Sequence, residues 1–394
     1  MVMICIQVNS VSSSRTDCFR AVRTNNRTFR ASRQTSYTRR MSTRCQAATM
    51  PDKCFVGIDF GTSGARAMVI DEKGTLLAET RQTYGDDKSV EARAPSWKRA
   101  LFGLFEDMPS ELRSTVASIA IDGTSSTCML MDEDSGELLT TPLMYNEACP
   151  EAAAMVAGFA PAGHTVTAGT STLCKLVQWQ KDGLIPDSGS PRLTHQADWL
   201  GYLLHQMPGV TDYNNALKLG YDPDPKIEAF PNWMLTEELA PVLPPKVVAP
   251  GEVVGAVAPA VAAELGLPEG AVVCGGTTDS IAAFLAAGVS RPGQAVTSLG
   301  STLAIKLLST KRLDDASSGI YSHRLDDMWL VGGASNTGGA VLRGLFSDAE
   351  LKALSAEIDP AEDSGLDYYP LTAPGERFPV NDPNLQPRLE PRPP

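Results

Sequence analysis

Three short stretches of this 394-residue chain carry residue types that could do chemistry together. The first is Asp59-Phe60-Gly61-Thr62-Ser63-Gly64, which closes the apolar run Cys54–Phe60. An acid therefore stands at the end of a buried strand, beside a small-residue turn. Glycine permits close backbone approach, successive N–H groups in such a turn form an anion nest, and Thr62 and Ser63 add hydroxyl donors. Asp59 can hold Mg²⁺ directly or through water, because Mg²⁺ keeps several waters and takes few protein ligands. The second stretch, Gly300-Ser301-Thr302, repeats the same small-residue hairpin between the strands Ala295–Leu299 and Leu303–Leu308. Two such turns could clasp one polyphosphate from both sides, and neither is a Walker A loop, since GxxxxGK[ST] is absent. The third is Asp279, behind Gly275-Gly276 and at the head of an apolar helix over Ser280–Ala287. An Asp there caps a helix, or acts as a general base toward a substrate hydroxyl, and the two roles can coexist.

These residues need a scaffold, and the pattern around them supplies one. Cys54–Phe60, Ala65–Asp71 and Thr75–Thr80 read as three strands joined by tight turns, a β-meander. Trp97, Leu101, Leu104, Phe105 and Met108 share one face of a helix that Ser96 could cap. Strands follow at Val116–Ile121 and Cys128–Asp132, and helical pattern at Leu173–Lys181, Ala197–Gln206 and Ala258–Leu267. Ala271–Cys274 is a further buried strand. The strand–turn–strand element rich in Gly, Ser and Thr occurs twice, which hints at internal duplication. From Pro370 onward the chain is Pro-rich, polar and unpatterned, and reads as loop.

Charge is unevenly placed. Residues 1–48 hold nine Arg, no Lys and a single acid, Asp17, with seven Ser and six Thr. Arg-rich, Ser-rich and acid-poor is the composition of an organelle transit peptide, for plastid or mitochondrion. The body beyond it is strongly acidic, and the whole chain nets −12. That balance argues against nucleic acid as a general partner. No apolar run approaches the length of a membrane span, so no membrane partner is expected. Cys5, Cys18 and Cys45 would leave with the peptide, and the remaining five Cys lack metal spacing and read as buried thiols. His164, His195, His205 and His323 show no metal spacing either.

Four segments taken in order carry a resemblance: VGIDFGTSGARAMVID (56–71), TDYNNALKLGYD (211–222), VVCGGTTDSIAAF (272–284) and AVTSLGSTLAIK (295–306). Together they resemble the FGGY carbohydrate kinases of the actin/Hsp70/sugar-kinase superfamily, and most of all the plant and cyanobacterial xylulose kinase-like D-ribulose kinases. The resemblance implies an α/β protein of two ribonuclease-H-like domains with a cleft between them. The sugar would sit mainly on a domain over 53–286, and ATP·Mg²⁺ mainly on a partial one over 287–394. Asp59 matches the family's metal- and phosphate-associated acid, and Gly61, Thr62 and Ser63 its first phosphate loop. Asp279 matches the catalytic base, and Gly300, Ser301 and Thr302 the second phosphate loop. Gly332-Gly333 and Gly338-Gly339, around Asn336, match a glycine-rich segment near the nucleotide. The implied reaction is transfer of the ATP γ-phosphate to a ketopentose hydroxyl, with D-ribulose expected first and D-xylulose next.

The sugar side departs from the family. Tyr145-Asn146-Glu147 stands where many members have a Trp-x-Asp element. Asp122-Gly123-Thr124-Ser125-Ser126 lies at a strand end of the first domain and could line the sugar pocket, and Asp212, Asn214 and Asn215 are a polar cluster with hydrogen-bonding capacity for sugar hydroxyls. A capped turn with Asx bonding is the equal alternative for the 212–215 cluster. The second half is shorter than the family pattern, and no Gly-Gly-Gly loop for the adenosine follows Gly339. The expectation is a truncated second domain whose strand pair lacks covering helices. That leaves a non-catalytic sugar-binding protein as the competing reading.

Overall fold

A computed structural model describes residues 52–300, 302–359, 361–363 and 365–390. The transit-peptide expectation for 1–48 and the second-turn residue Ser301 lie outside the described residues.

The strands run in order β1 (Cys54–Phe60), β2 (Gly64–Ile70), β3 (Leu76–Thr83), β4 (Val116–Gly123), β5 (Cys128–Asp132), β6 (Pro191–His195), β7 (Val210–Asp212), β8 (Lys246–Val248), β9 (Val253–Ala256), β10 (Val272–Cys274), β11 (Thr277–Thr278), β12 (Ala295–Leu299), β13 (Leu303–Ser309), β14 (Tyr321–Leu325) and β15 (Met328–Ser335). The helices are α1 (Arg93–Glu106), α2 (Ser110–Arg113), α3 (Pro150–Ala157), α4 (Thr172–Lys181), α5 (Gln196–His205), α6 (Tyr213–Ala216), α7 (Pro259–Leu265), α8 (Asp279–Ala286), α9 (Gly339–Leu345) and α10 (Asp348–Glu357).

A seven-stranded sheet has the order β3-β2-β1-β4-β10-β9, with β11 also paired to β4. The first three strands form the expected antiparallel meander, and β4 then joins β1 in parallel. The burial of β1 alternates, with Val56, Ile58 and Phe60 facing a core closed by Trp97, Leu101, Leu104 and Phe105 of α1. Each of those large side chains contributes about 1.5–3 kcal/mol by leaving water. Helix α1 begins at Arg93, before the expected cap, and Ser96 Oγ donates to Arg93 O at 2.7 Å inside it. Pro95 is tolerated there because first-turn N–H groups have no partner within the helix.

The second sheet is four-stranded and antiparallel, in the order β12-β13-β15-β14. The expected strand pair is thus extended by the hairpin β14–β15, and α8 covers it. Ile281 and Phe284 of α8 meet Val296, Leu308 and Leu330 in a five-residue core. Helix α10 buries none of its residues, and Leu299, Leu342, Leu345 and Phe346 are exposed. The tail beyond Pro370 forms neither helix nor strand among its described residues. It folds back on itself through single bridges, Tyr369 with Arg388 and Glu376 with Asp382, and reaches the end of β15 through Glu376, which accepts from Ser335 Oγ.

Candidate functional site

Strand register builds the acid cluster. Parallel pairing of β1 with β4 sets Asp59 opposite Asp122, and pairing of β11 with β4 sets Thr277 opposite the same Asp122. The chain then turns directly into α8, which begins at Asp279 behind its N-cap Thr278. Asp279 is therefore the first residue of the helix and not its cap, and its Oδ1 accepts the Ser280 N–H at 2.6 Å. Three carboxyls converge. Burial, then the charges of Asp59 and Asp279, push Asp122 up to about 9. Burial is also the main cause that raises Asp279, with Asp59 adding to it while Lys306 and Lys218 oppose it.

Two of the opposing charges were not singled out by sequence. Lys306 reaches from β13 of the second sheet to Ser280 Oγ, 2.9 Å away. Burial lowers its ammonium to about 7, although Asp279 holds it up. Lys218 lies beyond α6, and its charge is felt by both Asp279 and Lys306. A single lysine inside the apolar strand Leu303–Ser309 was the available signal for Lys306.

The residues present suit a Mg²⁺ ion. Asp122 Oδ1 is sealed from solvent and has no hydrogen-bond donor. A hydrogen bond between Asp122 and Asp59 exists only while one carboxyl keeps a proton. Hard oxygen atoms, excess negative charge and a donor-less buried oxygen are what such a cation recognises.

The small-residue turns are held differently. In the first, Gly61 N–H bonds Gly64 O at 3.2 Å, and Tyr84 Oη spans the carbonyls of Gly61 (2.9 Å) and Gly64 (3.0 Å). Thr62 and Ser63 point outward, exposed. In the second, Gly300 N–H bonds Thr302 O at 3.0 Å. The turn touches the glycine-rich segment, since Gly339 N–H donates to Gly300 O at 2.8 Å and Leu303 N–H to Thr337 O at 2.7 Å. A Cβ on Gly339 would stand 2.8 Å from Gly300 O, so only glycine allows this approach. Gly300, Gly338 and Gly339 are thereby brought together, while Gly332 and Gly333 lie within β15.

On the sugar side, Asp212 is 1% exposed and its carboxylate is committed. It accepts from Asn214 N–H (2.8 Å), Asn215 N–H (3.1 Å) and Asn215 Nδ2 (2.6 Å), capping α6. The capped-turn alternative describes these contacts. Asn214 is equally buried; its Nδ2 donates to Thr277 Oγ1 at 3.1 Å, while its Oδ1 has no partner. It thus supports the strand opposite Asp122. Ser125 is half-buried in the loop after β4. Gln196 Oε1 fixes that loop at Thr124 N–H (3.0 Å), and the buried Lys175 ammonium fixes it at Ser126 O (2.7 Å). Ser126 adopts a φ of +66°, a conformation that the lysine contact holds in place. Lys175 also donates to Met144 O at 2.6 Å, and Glu147 takes a two-pronged contact from Arg93 at 2.7 and 3.0 Å. Glu147 therefore anchors its own loop to α1.

The five described cysteines are unpaired thiols, four of them buried. His195, His205 and His323 are buried. Among the described residues no three His, Cys, Asp or Glu side chains are placed to ligate one metal ion together, so the protein ligands that suit Mg²⁺ are the Asp59–Asp122 pair and not the whole acid trio. No helix among them is long and apolar enough to cross a membrane.

No protein-family model matches the chain. A xylulose kinase of Streptomyces rubiginosus is 27% identical over 277 residues, which are 66% of this chain and 55% of that protein. A gluconokinase of Bacillus subtilis is 28% identical over 159 residues, 36% of this chain and 31% of the relative. The matched parts thus span about half or less of those relatives' lengths. Among solved structures, a xylulose kinase from Brucella ovis superposes with a TM-score of 0.72 at 19% identity, covering 85% of this chain and 72% of that one. A ligand-bound xylulose kinase from Lactobacillus acidophilus gives 0.68 at 18% identity, over 83% and 70%. A glycerol kinase from Plasmodium falciparum with ADP gives 0.60 at 15%, over 78% and 67%. The meander-led sheet, the second sheet behind α8 and these superpositions together give the chain the two-domain α/β fold of the FGGY sugar kinases.

Proposed function

We propose that this chain is an ATP-dependent sugar kinase of the xylulose kinase type, acting on a ketopentose with D-ribulose as the preferred substrate. The observation that carries the reading is Asp279, set at the start of α8 between the Asp59–Asp122 pair and Lys306. The sugar would lie on residues 53–286, against the Ser125 loop, and the nucleotide on 287–394, against the Gly300 and Gly338–Gly339 turns. Asp279 accepts the proton of the attacking hydroxyl. The hydroxyl oxygen forms a bond to the γ-phosphorus, the bond to the β-γ bridging oxygen breaks, and ADP leaves with that electron pair. A carboxyl raised by burial is a better base near neutral pH than an exposed one. Asp59 and Asp122 would hold Mg²⁺, which supplies charge neutralisation on the phosphates when bound. Thr62, Ser63, Ser301 and Thr302 would donate to phosphate oxygens. The basic, hydroxyl-rich head supports delivery to a plastid, with the mitochondrion as the alternative.

The test is ADP release by residues 50–394 with Mg·ATP, offered D-ribulose and D-xylulose in parallel. Sugar-dependent release is expected, faster with D-ribulose. Asp279→Asn should lower kcat by about 10²–10⁴-fold, the usual weight of a general base. In the parent chain turnover should fall as pH drops through the raised Asp279 value, because only the carboxylate accepts a proton. Folded protein that binds sugar and releases no ADP would make the chain a sugar-binding protein without transfer.

A further inference from the structure

The Pro-rich tail carries one charged side chain into the protein. Glu376 is 2% exposed, and every hydrogen bond its carboxylate accepts ties two distant parts of the chain or shapes its own loop. Oε2 accepts from Ser335 Oγ at 2.6 Å and from Tyr369 Oη at 2.7 Å. Oε1 accepts from Asn336 N–H and from Arg377 N–H, both at 2.7 Å. Neighbouring contacts reinforce the join: Asn336 Nδ2 donates to Gly375 O at 3.0 Å, and Arg377 Nε donates to Asn336 Oδ1 at 2.7 Å. The backbone is cut to fit, since a Cβ on Gly333 would collide with the Phe378 ring.

What Glu376 grips leads straight to the second phosphate turn. Ser335 Oγ, held by the carboxylate, accepts the Thr337 N–H at 3.1 Å. Thr337 O accepts Leu303 N–H, and Gly339 N–H donates to Gly300 O. We propose that Glu376 is a positioning residue, which fixes the Ser335–Gly339 turn and through it the Gly300–Leu303 turn, so that the tail sets the geometry of the nucleotide side. This rests on the reading above that those turns hold phosphates. Glycine-rich turns lose much conformational freedom on ordering, and a site ordered before its ligand arrives binds more tightly. Charge-assisted acceptance from these donors, with the Phe378 N–H added at 3.5 Å, is strong enough to impose that order. Burial opposes the charge of Glu376, yet these donors, Ser335 foremost, hold it below its ordinary range.

The experiment uses residues 50–394 with Glu376→Ala and Glu376→Gln. It reads amide hydrogen exchange without nucleotide, and Mg·ADP and D-ribulose binding by calorimetry. In Glu376→Ala, exchange should quicken at Gly300, Thr302 and Leu303, and Mg·ADP should bind about tenfold more weakly, the scale of one lost hydrogen bond to a charged group. D-Ribulose affinity should hold. Glutamine keeps an amide oxygen for the Asn336 and Arg377 N–H groups, so Glu376→Gln should return most of the nucleotide affinity and serves if the alanine variant does not fold. Unchanged exchange at Gly300 and Leu303 in a folded variant would overturn the proposal. So would a loss of sugar affinity in step with nucleotide affinity, which marks general destabilisation. If the parent chain binds no Mg·ADP, the nucleotide reading fails, and the exchange comparison alone still decides whether Glu376 orders the turn.

Discussion

In the seven-stranded sheet, the turn between β1 and β2 is clamped by Tyr84, a residue that directly follows β3 of the same sheet. In the four-stranded sheet, the matching turn between β12 and β13 leans on the Thr337–Gly339 segment, which leans on Glu376 in the tail. The cores behind the turns differ in the same direction. Helices α1 and α7 seal the first sheet with large apolar side chains, whereas the apolar core behind the second holds five buried residues, two of them from α8. One hairpin design is therefore stabilised by local packing in one place and by a long-range polar strap in the other. A small core cannot order a glycine-rich turn by burial alone, so hydrogen bonds to a buried carboxylate take over that work.

The largest expected effect tests this difference in core mass. Phe105 of α1 and Phe284 of α8 are both buried, and truncating either to Ala costs about 3–5 kcal/mol. Phe105→Ala should lower the melting temperature with hydrogen exchange still cooperative across the first sheet. Phe284→Ala should open β12–β15 to fast exchange while β1–β4 stay protected. Equal, uniform loosening in both variants would mean that the two sheets share one cooperative core.

Next is the cost of the acid pair to the first sheet. The folded state holds a proton on Asp122 up to about pH 9, while an unfolded chain releases it near 3.8. The unfolded state binds fewer protons across that window, so stability falls as pH rises through it. Asp122→Asn removes the titration. In metal-free buffer its stability advantage should grow with pH, by up to ~1.4 kcal/mol per unit. Denaturant melts at pH 5 and pH 8 measure it, and a flat difference would show that Asp122 and Asp59 do not share a proton.

A smaller effect belongs to the contact between sheets. Lys306 is charged below about pH 7 and loses its proton above it. kcat/KM for ATP should therefore decline as pH rises through that value, and Lys306→Arg, which stays charged, should remove the limb. Lys306→Met should lower kcat/KM about tenfold, the order of one charge-assisted hydrogen bond. An unaltered pH profile in the Arg variant would separate Lys306 from the chemistry.

The elements that sequence made legible are those written in local pattern. β1, β2, β5, β12 and the helices α4 and α5 are apolar runs or helical stripes punctuated by small residues, and they lie within a residue or two of expectation. The hairpin β14–β15 was not read from sequence, because Gly332-Gly333 interrupts the side-chain pattern of β15, while in the fold those glycines admit Ile305 and Phe378 at close range. The acids Asp59 and Asp279 were readable from their turns. Asp122 was readable only as part of a strand-end stretch facing the sugar; its place beside Asp59 comes from strand register, which no single segment encodes. Glu376 was wholly illegible: its partners Ser335 and Asn336 lie some forty positions earlier, and nothing local marks a glutamate in a Pro-rich stretch as buried.

Tyr84 is the smallest and sharpest probe of the contrast between turns. Its ring is already fixed by packing, 6.3 Å from Phe60 and nearly parallel to it, so Tyr84→Phe keeps the core and removes only the hydroxyl. That hydroxyl has one proton to share between the carbonyls of Gly61 and Gly64. Losing it should cost about 1 kcal/mol and quicken exchange at the Gly61–Gly64 amides by about fivefold. Because the ring still seats the turn, Mg·ADP affinity should drop only about two- to threefold, roughly a third to a half of a decade. Glu376→Ala, with no packed ring behind it, should disturb its turn more. If Tyr84→Phe proves the more damaging of the two, local packing is not what holds the first turn, and the division of labour between the sheets is wrong.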